Sequence, residues 1–220
     1  MSRAPAPPWP RPARVALAGR WTRLEPLTSA HAEDLHAASA APGAEERFRW
    51  LFEDPPRNLA DLRAWIALVA QREDLLFFAV VDQATGRCGG RLALMRIAPE
   101  HGVIEIGSIL WGPGVARTRL ATEALFLMAR YCFDDLGYRR FEWKCHDRNA
   151  PSQRAALRFG FRPEGIFRQH MWHKGANRDT AWYAMLDGDW PGLRAEFERW
   201  LDPCNFDANG AQRSPLRVPR

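Results

Sequence analysis

The run Val103 to Trp111 is apolar and rich in β-branched residues, and it ends at Gly112, Pro113 and Gly114. A long apolar-rich helical pattern follows, beginning near Arg117. A strand that feeds a glycine-bearing turn and then a helix start sets free backbone amides at a strand end, which suits an anion. This stretch constrains the fold more than any other, because its strand needs a sheet to lie in and its helix must return the chain to that sheet.

Length and composition fix the setting. With 220 residues, 46% hydrophobic and 26% charged, the chain has apolar content for one sizeable core, and we read one domain with tails. The formal charge of +5 is spread along the sequence without a lysine-arginine tract, so nothing argues for a nucleic-acid partner. No apolar run reaches membrane-spanning length and no signal-peptide core opens the chain, so a cytoplasmic protein with no membrane contact is expected. Cys88, Cys132, Cys145 and Cys204 show neither CxxC pairing nor metal-ligand spacing, and read as reduced, mostly buried thiols with no metal.

In chain order, Met1 to Arg14 carry five prolines and Trp9, which predicts extended chain, either docked through the tryptophan or loose. Trp21 to Glu25 predicts a short strand. Helices follow from Ser29, around Glu45 to Phe52, and after Asn58, where Leu59, Leu62, Ile66 and Val69 have helical spacing. Phe77 to Val81, Arg91 to Ile97 and Val103 to Trp111 form an antiparallel meander. After the helix that ends near Gly137, Tyr138 to Cys145 should lie parallel to the strand ending at Trp111. A helix capped by Asn149 or Asp147, a hairpin of Phe161 to Met171 with Arg178 to Leu186, and a helix from Pro191 to Leu201 complete the pattern.

The turn GPGVARTR lacks the GKS or GKT ending of a phosphate loop, and Arg117 stands where a dinucleotide fingerprint needs its third glycine. Helix-start amides together with Arg117 and Arg119 remain able to hold a pyrophosphate.

The element order, the helix opening ARTRLATEA and the segment GYRRFEWKCHDRNAPSQRAALRFGFRPEG resemble the GNAT acetyltransferase superfamily over about Gly19 to Leu186. NAPSQRAALRFGF is similar to its ribosomal-protein N-acetyltransferase-like branch. The resemblance implies an α/β fold of the α+β type: a mixed, mostly antiparallel sheet with a splayed parallel pair, flanked by helices, with about seven strands and four to five helices. It implies an arm at 1–18, an acetyltransferase domain at 19–201 and a tail at 202–220. It implies acetyl-CoA as cofactor and a primary amine as acceptor, on a peptide N-terminus or a small molecule, with direct transfer in a ternary complex; a homodimer stays open.

By the same resemblance Glu105 is the candidate base, directly or through water, or else half of a cross-strand charge pair. Ser152 is the candidate hydroxyl at the leaving sulfur, since the family's usual tyrosine position holds Ala156; it also reads as a first-turn cap. Leu110 and Trp111 would pair with the pantetheine through their backbone, Asn149 would bond its amides or serve as an N-cap, and Arg117, Thr118, Arg119, Leu120, Ala121 and Thr122 would hold the pyrophosphate. Arg117 to Ala121 depart from the glycine pair of the superfamily pattern. Trp50 and Trp172 are preferred to Trp143 as acceptor walls, and His146 is an alternative base. The competing expectation is a non-catalytic acyl-CoA-binding or partner-binding module on the same fold.

Overall fold

The computed structural model describes residues 7–218; the first six residues of the proline-rich arm and the last two of the tail lie outside it. The elements are β1 (Leu17–Ala18), β2 (Thr22–Pro26), α1 (Ala32–Ala40), α2 (Ala44–Phe48), α3 (Leu59–Ala70), β3 (Leu75–Asp82), β4 (Cys88–Ala98) and β5 (Val103–Trp111), followed by α4 (Arg119–Arg130), β6 (Arg140–His146), α5 (Ala150–Arg158), β7 (Arg162–His173), β8 (Ala176–Leu186) and α6 (Trp190–Leu201). The strands make one sheet of order β1-β2-β3-β4-β5-β6-β8-β7. Among the described residues only β5 and β6 pair in parallel. A helical crossover is what two consecutive parallel strands require, and α4 supplies it. The sheet thus holds eight strands among the described residues; the added one, β1, is two residues long and too short to leave a period-two signal.

One face of the sheet is apolar throughout. Leu24, Phe78, Val80, Leu92, Leu94, Ile104, Ile106, Phe141 and Trp143 are buried there with the inner sides of α4 and α6. The helix α4 is buried from Ala121 to Ala129, a run that is apolar apart from Thr122 and Glu123. The other face divides. Over β2, β3 and β4, Phe77, Ala79, Val81 and Ala93 pack against Leu35 of α1, Phe48 of α2 and Leu62 and Ile66 of α3. Over β5, β6 and β8 the same face carries Glu105, Glu142, Lys144 and His146 instead.

Segments near both ends of the described residues fold back on the body. Trp9 is buried, donates its backbone N–H to the Pro99 carbonyl at 2.9 Å and lies where a side chain on Gly102 would collide with its ring. At the other end Phe206 is buried edge-on to Trp200 and Trp21. No helix is long and apolar enough to cross a membrane among the described residues. Cys88, Cys132 and Cys145 are buried, Cys204 is exposed, and all are free thiols.

Candidate active site

The parallel pairing of β5 and β6 runs only from Val103 opposite Arg140 to Ile106 opposite Trp143. Beyond it β5 continues along β4 through Leu110 and Trp111, while β6 continues along β8 through Cys145 and His146. The two strands therefore part, and the outer backbone edge of Gly107 to Trp111 faces a gap. A bulge at Ser108, with φ of 48° and a register shift opposite Leu92, bends β5 at the start of the gap. Arg91 pins it. Its Nη1 donates to the Ser108 carbonyl at 2.6 Å, its Nη2 pairs with Glu53, and its guanidinium lies 4.7 Å from the Trp65 ring and 5.1 Å from that of Phe77. Burial draws this guanidinium down to about 9, and the carboxylate, carbonyl and ring faces offset that cost.

At the far end of β5, Thr118 caps α4. Its hydroxyl accepts the Leu120 N–H at 3.2 Å and donates to the Val115 carbonyl at 2.8 Å. Arg117 is exposed in the left-handed region with φ of 64°. The structure separates the two arginines expected at the pyrophosphate: Arg119 stacks 3.7 Å over Trp21 and 5.4 Å from Phe206, facing the chain ends. Leu120 packs partly into the core, Ala121 and Thr122 are buried, and Thr122 Oγ1 accepts from Arg158 Nη1 at 3.1 Å. What these residues present to a ligand at this turn is backbone, plus the Arg117 side chain.

Glu123 of the same helix is buried and its carboxylate accepts the backbone N–H groups of Arg20, Trp21 and Thr22 at 2.8, 2.7 and 2.6 Å. The turn approaches so closely that a Cβ on Gly19 would stand 2.4 Å from the Glu123 carboxyl carbon, so Gly19 is required there.

At the start of α5, Asn149 is the N-cap, its Oδ1 accepting the Ser152 N–H at 3.2 Å. The Ser152 hydroxyl oxygen accepts the Trp143 indole N–H at 2.9 Å. Burial pushes the nearby Cys145 thiol up, and the Ser152 hydroxyl beside it partly offsets that push. Trp143 is thus a buried partner of Ser152, whereas Trp172 is 76% exposed in the β7–β8 hairpin.

Glu105 and Ser152 are brought to the end of the parallel pairing from opposite faces. Ser152 sits behind Trp143, the last paired residue of β6; Glu105 precedes Ile106, the last of β5, and points to the other face. The Glu105 carboxylate is enclosed. Arg96 Nη1 donates to one oxygen at 2.6 Å and Lys144 Nζ makes an ion pair at 2.8 Å with the other. Lys144 also pairs with Glu142 at 2.7 Å and lies 3.7 Å over the Trp182 ring. Glu142 pairs with Arg140, and Arg140 with Glu164, which holds the Glu164 carboxyl below the usual range.

A roof closes this polar half. Lys174, at the tip of the β7–β8 hairpin, donates to the carbonyls of Phe48 and Glu53 at 3.1 and 3.2 Å and pairs with Asp54 at 2.8 Å. His173 bonds the Leu51 carbonyl at 3.1 Å. The segment so held puts the Trp50 ring 4.7 Å from His146, which is buried at the end of β6. His146 Nδ1 accepts the Arg148 N–H at 3.1 Å and lies 2.6 Å from an Asp147 carboxylate oxygen.

Sequence reading gave no site role to Arg91, Arg96 or Lys144. The signal for Lys144 was present: Glu142, Lys144 and His146 alternate with Phe141, Trp143 and Cys145, a polar face on an interior strand. No local pattern marks Arg91 or Arg96.

A gap between parallel strands that opens at a bulge, with a capped helix start at one end and a hydroxyl and a carboxylate at the other, defines an acyltransferase. The chain belongs to the GNAT acetyltransferase family: the family model described as the acetyltransferase (GNAT) domain matches residues 22–162. A GCN5-related N-acetyltransferase from Brucella melitensis is 55% identical, with a TM-score of 0.93 and 95% of each chain covered. A GNAT-family structure from Chromobacterium violaceum is 36% identical with a TM-score of 0.79, covering 87% of this chain and 96% of that one. The uncharacterized N-acetyltransferase YoaA of Bacillus subtilis is 31% identical over 97 residues, 44% of this chain; the chain spans about half, 54%, of that relative's length.

Proposed function

We propose that the chain is an N-acetyltransferase of the ribosomal-protein N-acetyltransferase-like branch, transferring an acetyl group from acetyl-CoA to a primary amine in a ternary complex. The acceptor amine belongs to a peptide N-terminus or a small molecule, and residues 19–201 form the working domain. One observation carries the reading: β5 and β6 part immediately after Ile106 and Trp143, with Glu105 and Ser152 on opposite sides of that point. The residues fit the cofactor, because the outer edge of Gly107 to Trp111 is backbone without a strand partner, and a Cβ at Gly114 would meet only open space beside the helix start.

Bound there, acetyl-CoA supplies the acyl group as an activated thioester. The backbone of Leu110 and Trp111 would hold the pantetheine as an added strand, the Asn149 amide would bond its amides from the α5 cap, and the first-turn amides of α4 with Arg117 would hold the pyrophosphate. Thr118 and Arg119 set that turn's shape. An amine attacks the carbonyl only when unprotonated, and a lysine-type ammonium has a pKa of about 10.4. Glu105, both of whose oxygens are already held, would take up the amine's proton through water; the Ser152 hydroxyl would keep its proton and donate a hydrogen bond to the sulfur, which departs with the C–S bonding pair.

Glu105→Gln should lower thiol release by about a hundredfold, within the range for one acid-base group, and leave coenzyme A affinity by calorimetry unchanged. Equal turnover would remove Glu105 from the reaction. A binding module is the second reading, favoured by the two cations on Glu105 and the ring stacking of Arg119. Coenzyme A binding with no thiol release across amines and peptides would establish it instead.

A further inference from the structure

The charges of the polar half form a continuous chain in space: Arg96, Glu105, Lys144, Glu142, Arg140 and Glu164 alternate in sign, and each cation meets a carboxylate. Arg178 stands outside it. It lies on β8 on the same face as Thr180 and Trp182, and so on the face of His146 and Lys144. It is only 6% exposed, and its guanidinium makes no ion pair or hydrogen bond among the described residues; its Nε is enclosed with no partner at all. Its guanidinium carbon lies over the Phe52 ring of the roof segment, 5.0 Å from the centroid. Burial works against the charged form, Arg96 adds to that, and Glu105 and Cys145 only partly counter it. A buried cation without a counter-charge is costly, and a fold keeps one where an anion arrives from outside.

Aromatic and titratable groups surround it: the Phe52 ring faces both Arg178 and His173, the Trp50 ring faces His146, and Glu105 is among the charges that act on Arg178. We infer that the acceptor carries an anionic group, a carboxylate or a phosphate, on the same molecule as its amine, and that Arg178 receives this group while the amine is directed toward Glu105. This rests on the acyl-transfer reading and narrows its acceptor. A planar guanidinium suits two parallel bonds to such an anion, and the Phe52 ring fixes its plane.

The test pairs acceptors that differ only in the anion: free amino acids against their amides, peptides with glutamate against glutamine at the second position, and phosphoethanolamine against ethanolamine. Thiol release from acetyl-CoA should favour the anionic member of at least one pair by about tenfold or more in kcat/KM, and that pair names the source. Arg178→Met should erase the preference with melting no lower than the parent's, since it removes an unpaired buried charge. If that variant fails to fold, Arg178→Lys, which keeps the charge without the fork, should reduce the preference. No preference in any pair, or a full preference retained in the folded Met variant or in the Lys variant, overturns the inference and leaves acyl transfer standing. If no amine is acetylated, the acyl-transfer reading is what fails. Titration of tryptophan fluorescence with N-acetyl amino acids and their amides then decides: tighter binding of the acids, lost in the Arg178 variant, supports the anion site, and equal or absent binding overturns it.

Discussion

The α1–α3 side of the sheet is two regions made by the same strands' alternation. Over β3 and β4 the inward positions are Phe77, Ala79, Val81 and Ala93, sealed by helices; over β5 and β6 they are Glu105, Glu142 and Lys144, roofed by a loop and a hairpin tip. The first region stabilises by removing apolar surface from water. The second spends desolvation to hold ions in register, which rarely gives net stability but fixes geometry. A sheet that changes character partway along one face marks where apolar packing gives way to ionic order.

The largest expected effect lies in the apolar region. Phe77→Ala should cost about 3–5 kcal/mol, read as a drop of roughly 10 °C in melting, with thiol release per folded molecule unchanged. A variant that keeps its melting point but loses activity would break the comparison. Glu123→Gln comes next and sharpens it, because Glu123 is a buried charge used for architecture: losing a carboxylate that accepts three backbone N–H groups should cost about 2–3 kcal/mol with activity per folded molecule intact. Lys144→Met should change stability by less than about 1 kcal/mol, since Glu105 keeps Arg96 and Glu142 keeps Arg140, while turnover falls. Unfolding of that variant would show the ionic region to be structural after all.

The smallest effect is at the edge of the network. Arg140 holds the folded Glu164 carboxyl below its ordinary 4.5, so the pair's stability is present in full above 4.5 and is lost as pH falls through the lowered folded value. The melting difference between the parent and Glu164→Gln should therefore close on acidification below 4.5; a gap that widens there would reverse the assignment.

Local patterns carried much of this fold. The apolar run gave β5 its bounds, Asn58 and Asn149 cap the helices that follow them, and the crossover rule made β5 and β6 parallel. Partners distant in sequence were not legible. Glu105 could be picked out as a carboxylate on an inward strand, but not that Arg96 and Lys144 hold it, because an ion pair depends on which strands become neighbours. Arg119 shows the same limit: an arginine at a helix start reads as an anion ligand, and only the folded chain reveals aromatic rings from residues 21 and 206 around it.

That stacking also has an order in time. The first turn of α4 leans on Trp21, which precedes it in the chain, and on Phe206, which comes after β6, β7, β8 and α6. Synthesis runs from the N-terminus, so the Trp21 ring can meet Arg119 as soon as α4 is made, whereas the Phe206 ring must wait for the rest of the sheet. The helix start is therefore packed on one side before the sheet is complete and on the other only afterwards.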